Sequence, residues 1–235
     1  MKIALLGYGK MGKVIERIAL ERGHEIVVKK SSTSSFDGLQ NADVAIDFSL
    51  PDVAVENISE CLKTGIPVIS GTTGWLEHYD EMVLLCNEKN GAFIYGSNFS
   101  LGVNLFFELN DYLSKMMSKF NQYCVSMEEI HHTQKLDAPS GTAISLANGI
   151  IKNSEYTKWT LENPNENEIV INAKRIENVP GTHSVFYQSN VDTIEIKHTA
   201  HNRDGFAFGA VIAAEWLVGK KGVFTMKDVL ELNTI

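Results

Sequence analysis

The first 97 residues alternate between short apolar runs and longer amphipathic stretches. The apolar runs have the length of strands, and they are "KIALL", "EIVVK", "ADVAIDFS", "IPVIS" and "AFIYGS". Between them lie stretches with helical spacing, such as "LPDVAVENISECLKTG", which has Pro51 in its first turn and Gly65 just past its end. Strands that alternate with helices favour a parallel sheet with helices on both faces. We therefore predict an α/β unit for this part of the chain.

After Ser97 the pattern changes to two helical stretches and several β-rich runs. The helical stretches are "LGVNLFFELNDYLSKMMSKF" and "PSGTAISLANGII", and the β-rich runs are "QYCVSMEEIHH", "EIVINAKRIENV", "THSVFYQS" and "DTIEIKHTAHN". One side of the second helix collects the apolar residues Ala143, Leu146, Ala147 and Ile150. These patterns predict one sheet with helices packed against it. The tail after Arg203 is predicted to be helical, with Thr225 and Asp228 placed as a capping box, and to return to the first unit.

Composition and charge exclude several classes of protein. The net charge of −8 gives no general attraction for nucleic acid or for an anionic membrane surface. The longest uncharged stretch, Gly91 to Phe107, is rich in Gly, Ser and Asn and too short to span a membrane. The N-terminal apolar run is broken by Gly7 and is too short for a signal peptide, so we expect a cytoplasmic protein.

The three cysteines give no sign of a disulfide framework or a zinc site. Cys61, Cys86 and Cys124 are scattered, odd in number and without a CxxC pair. We expect buried, reduced thiols.

A glycine-rich turn follows the first predicted strand. It consists of Gly7, Tyr8, Gly9, Lys10, Met11 and Gly12, which match G-x-G-x-x-G. Gly7 allows the tight turn, Gly9 allows the backbone to approach a pyrophosphate, and Gly12 allows the helix to pack closely on the strand. The N-terminus of the following helix offers free N–H groups to phosphates. This context predicts dinucleotide binding, and the alternative is a tight turn without a ligand.

The end of the second strand bears on which dinucleotide is bound. An NAD site usually has an acidic residue there, but this chain has Lys29 and Lys30 followed by Ser31 and Ser32. Cations and hydroxyls suit a 2′-phosphate, so we predict a preference for NADPH over NADH. The alternative is a pair of solvated lysines, since a lysine is a weaker selector than an arginine.

The stretch from Glu128 to Ala143, "EEIHHTQKLDAPSGTA", combines two histidines, a lysine and a predicted helix start. Pro139 suits the first turn of that helix, and the "SGT" that follows it offers hydroxyls and exposed N–H groups. Gly141 has no side chain to block close approach. Lys135 lies in the loop before the helix, within reach of the same space. A carboxylated substrate is the expected occupant.

The adjacent histidines are predicted to have different roles. On a strand, His131 and His132 point to opposite faces, and histidine is the usual proton carrier near neutral pH. A metal site would need a third ligand, and no spacing singles out His183, His198 or His201. We therefore predict no metal. Alternatives that remain open are that one histidine is a hydrogen-bonded core group, and that Asp137 caps the helix or orients Lys135.

The stretch "EEIHHTQKLDAPSGTA" resembles the motif E-(I/L)-H-H-x-x-K-x-D-A-P-S-G-T-A of the dihydrodipicolinate reductase family of bacterial lysine biosynthesis. Three further segments are similar to the family: "SGTTG" at Ser70 to Gly74, "GSNFSLGVN" at Gly96 to Asn104, and the tail segment "FAFGAVIAAEWL". The resemblance covers nearly the whole chain.

The resemblance implies an α/β fold with a Rossmann-like parallel-sheet domain and an α+β substrate domain with a mixed sheet. The first would comprise residues 1–100 and 205–235, and the second, which also forms the oligomer, residues 101–204. It also implies a homotetramer. The implied cofactor contacts are the Gly7–Gly12 turn, Gly71, Thr72, Thr73, Gly96, Ser97, Asn98 and Phe99. Lys29, from the end of the second strand, is a further predicted cofactor contact.

The implied catalytic residues are His131, as proton donor and acceptor, and Lys135, with His132, Gly141 and Thr142 binding the substrate. The implied reaction is the reduction of (2S,4S)-4-hydroxy-2,3,4,5-tetrahydrodipicolinate by NAD(P)H, with loss of water. Two rival functions are another Rossmann dehydrogenase of amino-acid metabolism and a catalytically silent NADP(H)-binding regulator. A phosphorylating dehydrogenase would need a cysteine nucleophile, and no cysteine has a nearby histidine motif. A regulator would have little reason to keep His131 and Lys135 together with the helix start.

Overall fold

The computed structural model describes residues 1–31 and 35–232. The chain forms two compact units, one of Met1–Leu101 with Asp204–Ile235 and one of Gly102–Arg203. Ser32, one of the two hydroxyl residues predicted to suit a 2′-phosphate, lies outside the described residues.

The first unit is built on a six-stranded parallel sheet. Numbered along the chain, its strands are β1 (Lys2–Leu6), β2 (Glu25–Lys30), β3 (Val44–Asp47), β4 (Val68–Ser70), β5 (Ala92–Tyr95) and β11 (Gly222–Phe224). Their order in the sheet is β11-β5-β4-β3-β1-β2. The chain therefore changes direction of winding between β1 and β3, and such a switch point is where open α/β sheets bind ligands.

Helices cover both faces of this sheet, as the sequence predicted. They are α1 (Lys10–Glu21), α2 (Pro51–Lys63), α3 (Tyr79–Glu88), α6 (Asp204–Leu217) and α7 (Met226–Val229). Helices α1, α6 and α7 pack on the face that carries Ile3 and Leu5, whereas α2 and α3 pack on the face of Ala4 and Leu6. Strand alternation explains this division, since neighbouring residues of β1 point to opposite faces. Both core clusters consist mainly of fully buried aliphatic side chains.

The tail of the chain differs from the predicted continuous helix. Helix α6 ends at Leu217, and β11 then pairs in parallel with β5 before α7 begins. Gly219, just past the end of α6, has a positive φ angle of 82°, and Gly222, the first residue of β11, has one of 121°; glycine adopts such angles without strain. The capping box is confirmed, because Thr225 and Asp228 exchange both hydrogen bonds at the start of α7.

The second unit is a five-stranded mixed sheet with two helices. Its elements are α4 (Leu101–Met117), β6 (Cys124–His131), α5 (Gly141–Asn153), β7 (Lys158–Thr160), β8 (Glu168–Arg175), β9 (Gly181–Gln188) and β10 (Thr193–Ala200). The strand order is β10-β9-β6-β8-β7, and β6 is parallel to β8 but antiparallel to β9. The predicted fold class is therefore confirmed. Strand β7 was not predicted, because its three residues show no periodicity.

One face of the second sheet carries the core of this unit. The predicted buried side of α5, namely Ala143, Leu146, Ala147 and Ile150, is confirmed and packs against that face together with Phe106 and Leu113 of α4. Along β6 the alternate residues Val125, Met127, Glu129 and His131 are buried. The inward face of β6 is therefore apolar at Val125 and Met127 and polar at Glu129 and His131, near the carboxyl end of the strand.

All three cysteines are free; Cys61 and Cys86 are buried, but Cys124, at the start of β6, is exposed, contrary to the expectation of buried thiols. Alternation along β6 explains this, since Cys124 lies on the sheet face opposite the helices. Across residues 1–31 and 35–232, no helix is long and apolar enough to cross a bilayer.

Candidate active site

The glycine-rich turn joins β1 to α1 at the switch point of the first sheet. Gly7 has a φ angle of 98°, and a Cβ there would overlap the Phe48 carbonyl oxygen. A Cβ on Gly12 would overlap the carbonyl oxygen of Gly7, so both positions need glycine for close packing. Gly9 faces open space, with no described atom within 4 Å of an added Cβ. It also precedes α1, where no described side chain caps the exposed N–H groups. This geometry leaves room and donors for a phosphate.

A fully buried carboxylate, Asp47, lies at the end of β3 beside this turn. Its oxygens accept hydrogen bonds from the hydroxyls of Ser49, Ser70 and Thr72 and from the amide of Asn57, at 2.6 to 2.9 Å. Burial raises the pKa of Asp47, whereas these four donors favour the ionised form. The network ties the loop after β3 to the loop after β4. Asp47 was not identified from the sequence, because its partners lie on different strands and on α2.

The two other predicted cofactor-binding loops also follow the carboxyl ends of strands. Gly71 and Thr73 are accessible, whereas the Thr72 hydroxyl is engaged by Asp47. A cavity of about 220 Å³ lies here, lined by Met11, Phe48, Ser49, Pro51, Gly71, Thr72 and Thr73. The residues after β5 are placed differently: Ser97 is exposed, and the Gly96 N–H donates to Ser70 at 3.1 Å.

Two residues of the loop after β5 are more enclosed than Ser97. The Asn98 side chain accepts a hydrogen bond from Ser100 N–H at 2.9 Å. The Phe99 side chain is only 1% exposed and belongs to the core of the unit. Any cofactor contact by Phe99 would therefore use its backbone.

The two lysines at the end of β2 have different surroundings. Lys29 pairs with Glu16, with its ammonium 2.5 Å from the carboxylate, and lies over the Tyr8 ring. Lys30 is 4% exposed, and its ammonium lies 4.6 Å from the centre of the Phe36 ring. No described carboxylate forms an ion pair with Lys30. Lys30 also lines a cavity of about 120 Å³ beside Gly7. Of the two cations, Lys30 is thus the one whose charge is not already matched.

In the second unit, His131 and Glu129 share the inward face at the end of β6. Glu129 is fully buried, and one of its oxygens lies 3.6 Å from Nδ1 of His131 and 3.7 Å from Nε2 of His183. The same oxygen accepts the backbone N–H of Ser140 at 2.9 Å. The other oxygen accepts a hydrogen bond from Arg175 at 3.2 Å. A buried carboxylate thus stands at the centre of the predicted catalytic stretch.

Lys135 and Asp137 form an ion pair in the loop between β6 and α5. The Lys135 ammonium lies 2.7 Å from both Asp137 oxygens, so the interpretation of Asp137 as an orienter of Lys135 is confirmed. Arg175 donates to the backbone carbonyls of Lys135, at 3.3 Å, and of Asp137, at 2.6 Å. The loop carrying Lys135 is therefore held on β8 by an arginine that the sequence did not single out.

Helix α5 begins with the predicted exposed donors, but two residues later than expected. Ser140 is its cap, accepting the N–H of Ala143 at 3.2 Å, so Pro139 precedes the cap and is not part of the first turn. The reason is that Ser140 has extended backbone angles. Gly141 is exposed, and within the described chain no atom lies within 4 Å of a Cβ added to it. Thr142, beside it, is half-buried.

The two histidines differ in their surroundings, as the strand pattern predicted. His131 is 8% exposed and faces the buried cluster, whereas His132 is half-buried and follows the last residue of β6. Nδ1 of each ring is buried, and no described group hydrogen-bonds to it. A Cβ on Gly181 would lie 3.1 Å from Nε2 of His131, so that edge of the ring is bordered by a residue without a side chain.

The charges of this cluster shift the protonation of its members. Burial lowers the pKa of His131, the charges of Lys135 and Arg175 lower it further, and Glu129 opposes them. Burial would raise the pKa of Glu129, but hydrogen bonds from Ser140, together with the neighbouring positive charges, hold it below its usual range. Burial is also the main reason why the pKa of His183 falls to about 4. At neutral pH the resting cluster therefore holds neutral imidazoles around an ionised carboxylate.

Sequence reasoning missed Glu129, Arg175 and His183 in this cluster. Alternation along β6 would have placed Glu129 on the same face as His131, but Arg175 and His183 come from other strands. Glu129, His131 and His183 offer ligand atoms within 4.8 Å of one another, a spacing that also suits a metal ion. Both Glu129 oxygens are already engaged, and Arg175 and Lys135 add positive charge. We therefore interpret the cluster as a proton network, and the absence of a metal stays a prediction.

Acid should destabilise the protein through His183. In the unfolded chain this ring has a pKa of about 6.5, so between about pH 6.5 and 4 the unfolded state binds a proton that the folded state does not. Stability is then complete above pH 6.5 and falls as the pH decreases. We expect a loss of about 2 kcal/mol in the free energy of unfolding between pH 7 and pH 5. Urea titrations at pH 7 and pH 5 measure this difference in the free energy of unfolding. The difference should be smaller in His183→Gln and unchanged in the exposed control His78→Gln.

Comparison with known proteins agrees with these features. Residues 1–99 match the family description "Dihydrodipicolinate reductase, N-terminus", and residues 102–230 match "Dihydrodipicolinate reductase, C-terminus". The chain is 57% identical to a 4-hydroxy-tetrahydrodipicolinate reductase of Christiangramia forsetii, with 98% of each chain covered. It is 33% identical to the reductase of the same name from Archaeoglobus fulgidus, covering 98% of this chain and 100% of that one.

A solved structure gives the same answer for the fold. Dihydrodipicolinate reductase from Paenisporosarcina sp. TG-14, with dipicolinate bound, superposes with a TM-score of 0.75 at 21% identity, covering 96% of this chain and 97% of that one. The family matches account for both compact units, and the Christiangramia relative is similar along nearly the entire length. The chain belongs to the dihydrodipicolinate reductase family.

Proposed function

We propose that this protein reduces (2S,4S)-4-hydroxy-2,3,4,5-tetrahydrodipicolinate to 2,3,4,5-tetrahydrodipicolinate with NAD(P)H, with loss of water, in lysine biosynthesis. The observation that carries the proposal is the arrangement at the end of β6. There His131, Lys135 and the open N-terminus of α5 are held around one buried carboxylate, Glu129. Family membership and the name of the 57% identical relative support the same reaction.

Residues 1–100 and 205–235 would bind the dinucleotide, and residues 101–204 the substrate. Support for the first assignment is the glycine-rich turn at the switch point of a parallel sheet, where Gly9 faces open space. The nicotinamide cofactor supplies the hydride when bound. The protein's part is to hold its phosphates on backbone N–H groups at the start of α1 and to leave the cavity beside Gly71 and Thr73 for the rest of the molecule.

The substrate is a dicarboxylate, and the second unit has suitable donors for it. The Lys135 ammonium and the N–H groups of Gly141 and Thr142 would bind one carboxylate, and His132 lies beside the same loop. Each charge-assisted hydrogen bond contributes about 1.5–3 kcal/mol. The relative from Paenisporosarcina holds dipicolinate, which is also a ring with two carboxylates.

His131 would carry the proton. Loss of the 4-hydroxyl as water needs a proton, and the enamine left after hydride addition at ring C4 needs another. The resting imidazole is neutral because burial lowers its pKa, whereas Glu129 favours the charged form when a proton arrives. Positive charge from Lys135 near the ring would stabilise the electron density that arrives with the hydride.

A coupled assay tests the function. The purified protein is given (2S,4S)-4-hydroxy-2,3,4,5-tetrahydrodipicolinate, and the loss of reduced-nicotinamide absorbance is followed. We expect turnover that requires this substrate. Oxidation of a free amino-acid aldehyde in its place would favour the rival dehydrogenase. Cofactor binding without turnover of either substrate would favour the regulator, and both of these outcomes contradict the proposal.

Gly141→Ala should weaken substrate binding without harming the fold. The new methyl group enters open space at the start of α5, so we expect an unchanged melting temperature. It would stand between the helix N-terminus and a bound carboxylate, and losing one charge-assisted contact should raise the KM for substrate by about tenfold. The matched control is Ser145→Ala on the exposed side of the same helix, which should leave KM unchanged. An unchanged KM in Gly141→Ala would contradict carboxylate binding at this position.

The proposed preference is for NADPH over NADH. Lys29 remains a candidate for the 2′-phosphate, but this anion would have to compete with Glu16 for it. Lys30 is better placed, because its ammonium lies over Phe36 beside the Gly7 cavity. We expect Lys30→Met to raise the KM for NADPH about tenfold and to leave that for NADH nearly unchanged. Lys63→Met, at the far end of α2, is the control. A wild-type kcat/KM that strongly favours NADH would overturn the assignment.

A homotetramer assembled through the substrate units is the proposed oligomer. The sheet face opposite α4 and α5 carries Ile130, Val170 and Phe186, which are half-buried in the single chain. A second copy of the same face would cover these side chains. Light scattering on the eluted protein would measure the mass, and a monomer at micromolar concentration would contradict the proposal. We also propose a cytoplasmic location, where reduced nicotinamide cofactors are available.

A further inference from the structure

We propose that Glu129 is a positioning residue for the reaction, acting through His131 and balanced by Arg175. Its ionised carboxylate would set the orientation and the proton affinity of the His131 ring, and the Glu129–Arg175 pair would hold the Lys135 loop and the start of α5 in register with it. This inference rests on the proposed function, because it assigns a role within the same site.

The first support is the position of the carboxylate. Glu129 has no exposed surface, and two residues of spacing on β6 place it on the same inward face as His131. One oxygen lies 3.6 Å from the otherwise unpartnered Nδ1 of that ring. With Nδ1 facing the carboxylate, Nε2 is the nitrogen left to face a substrate. The carboxylate–histidine arrangement is a general way to fix a ring and favour its charged form.

The second support is the mechanical connection through Arg175 and Ser140. Arg175 is the β8 neighbour of His131, and its guanidinium bonds Glu129 and the backbone carbonyls of Lys135 and Asp137. Glu129 in turn accepts the N–H of Ser140, the cap of α5. The Lys135 loop and the start of α5, which would hold the substrate, are therefore both hydrogen-bonded to the Glu129–Arg175 ion pair. A neutral side chain in place of Glu129 or Arg175 would weaken this connection.

The third support is that both positively and negatively charged side chains surround His131. Glu129 faces the ring from its own strand, Arg175 from β8, and His183 from β9 with the ring centres 5.1 Å apart. Lys135 and Asp137 face it from the loop, as a pair. Glu129 raises the pKa of His131 and Arg175 lowers it, so the separate removal of these two charges should act in opposite directions.

The experiment compares the pH dependence of kcat in Glu129→Gln and Arg175→Gln. Removing the negative charge disfavours the imidazolium, so the kinetic pKa assigned to His131 should move down by about one unit in Glu129→Gln, with a tenfold lower kcat. Removing the positive charge favours the imidazolium, so the same pKa should move up in Arg175→Gln. A merely structural role would lower activity in both variants and shift the two profiles alike or leave them in place.

The matched control is Glu128→Gln. Glu128 is the preceding residue of β6, points to the opposite face and pairs with Lys174. Its profile should equal that of the wild type. Unshifted profiles, or shifts in the same direction, overturn the positioning role.

Failure of the function and failure of the inference remain distinguishable. Wild-type protein without reductase activity refutes the proposed function, whereas an active wild type with unshifted variants refutes only the inference. If Glu129→Gln does not fold, the ¹⁵N signals of His131 in folded Arg175→Gln decide the matter. A His131 pKa that is higher in Arg175→Gln than in the wild type supports the proposed balance between Glu129 and Arg175. An unchanged His131 pKa overturns the proposal.

Discussion

His131→Ala should lower kcat by about a hundredfold or more, which is the range that acid–base groups contribute. The ring is buried at the end of β6, where its Nδ1 lies 3.6 Å from the Glu129 carboxylate. No other described imidazole occupies the same place, because His183 is engaged with the Ser140 hydroxyl at 3.0 Å. The KM for substrate should change much less, since Lys135 and the start of α5 remain. Steady-state kinetics at saturating reduced cofactor measures both parameters.

The control for this variant is His78→Ala, an exposed histidine of the first unit. It should keep wild-type kcat. Circular dichroism and melting temperature establish that His131→Ala is folded, because a cavity alone would lower stability and not turnover. A folded His131→Ala with kcat within about threefold of the wild type would remove the ring from the proton-transfer steps.

Lys135→Ala should also lower kcat by about a hundredfold, and it should raise the KM for substrate as well. The side chain is 21% exposed and its ammonium is oriented by Asp137, so the charge is fixed before a ligand arrives. Losing it removes a partner of the substrate carboxylate and a positive charge near the reacting ring. The combined effect on kcat/KM should therefore exceed that of His131→Ala, and it is measured in the same assay.

Two companion variants identify the cause of the Lys135 effect. Lys152→Ala, in the last turn of α5, removes an exposed lysine of the same unit and should leave both constants unchanged. Lys135→Arg keeps the charge with a different shape and should recover part of the KM but little of kcat. If Lys135→Ala had a normal kcat and only a raised KM, the residue would be a binding group alone.

Local patterns predicted the segments whose causes are local. The glycine-rich turn, the capping box at Thr225 and the buried side of α5 depend on residues a few positions apart, and the structure contains each of them. The error at Pro139 is of the same kind, because Ser140 and Pro139 both favour a helix start and the sequence does not rank them. Strand β11 was missed for a different reason. Its three residues are held by pairing with β5, about 130 positions earlier, which no window of sequence contains.

The sequence likewise predicted the residues of the candidate site that are close together in the chain, but not those that the strand register brings together. His131, Lys135 and Gly141 are neighbours in sequence, so one motif reveals them. Arg175 reaches His131 only through the register of β6 and β8, and His183 only through that of β6 and β9. Asp47 likewise gathers donors from β4 and α2. Strand register depends on the whole sheet, and a single sequence without related ones does not specify it.

The discontinuous make-up of the first unit has a consequence for how the chain is made. Its core includes Ala207, Ala210 and Ala214 of α6, and its sheet edge is β11, all of which leave the ribosome after the second unit. The unit of residues 102–203 is continuous and has its own core, so during translation it should become resistant to protease first. Nascent chains that stop before Asp204 should therefore present a folded second unit and an N-terminal half that still needs chaperone protection.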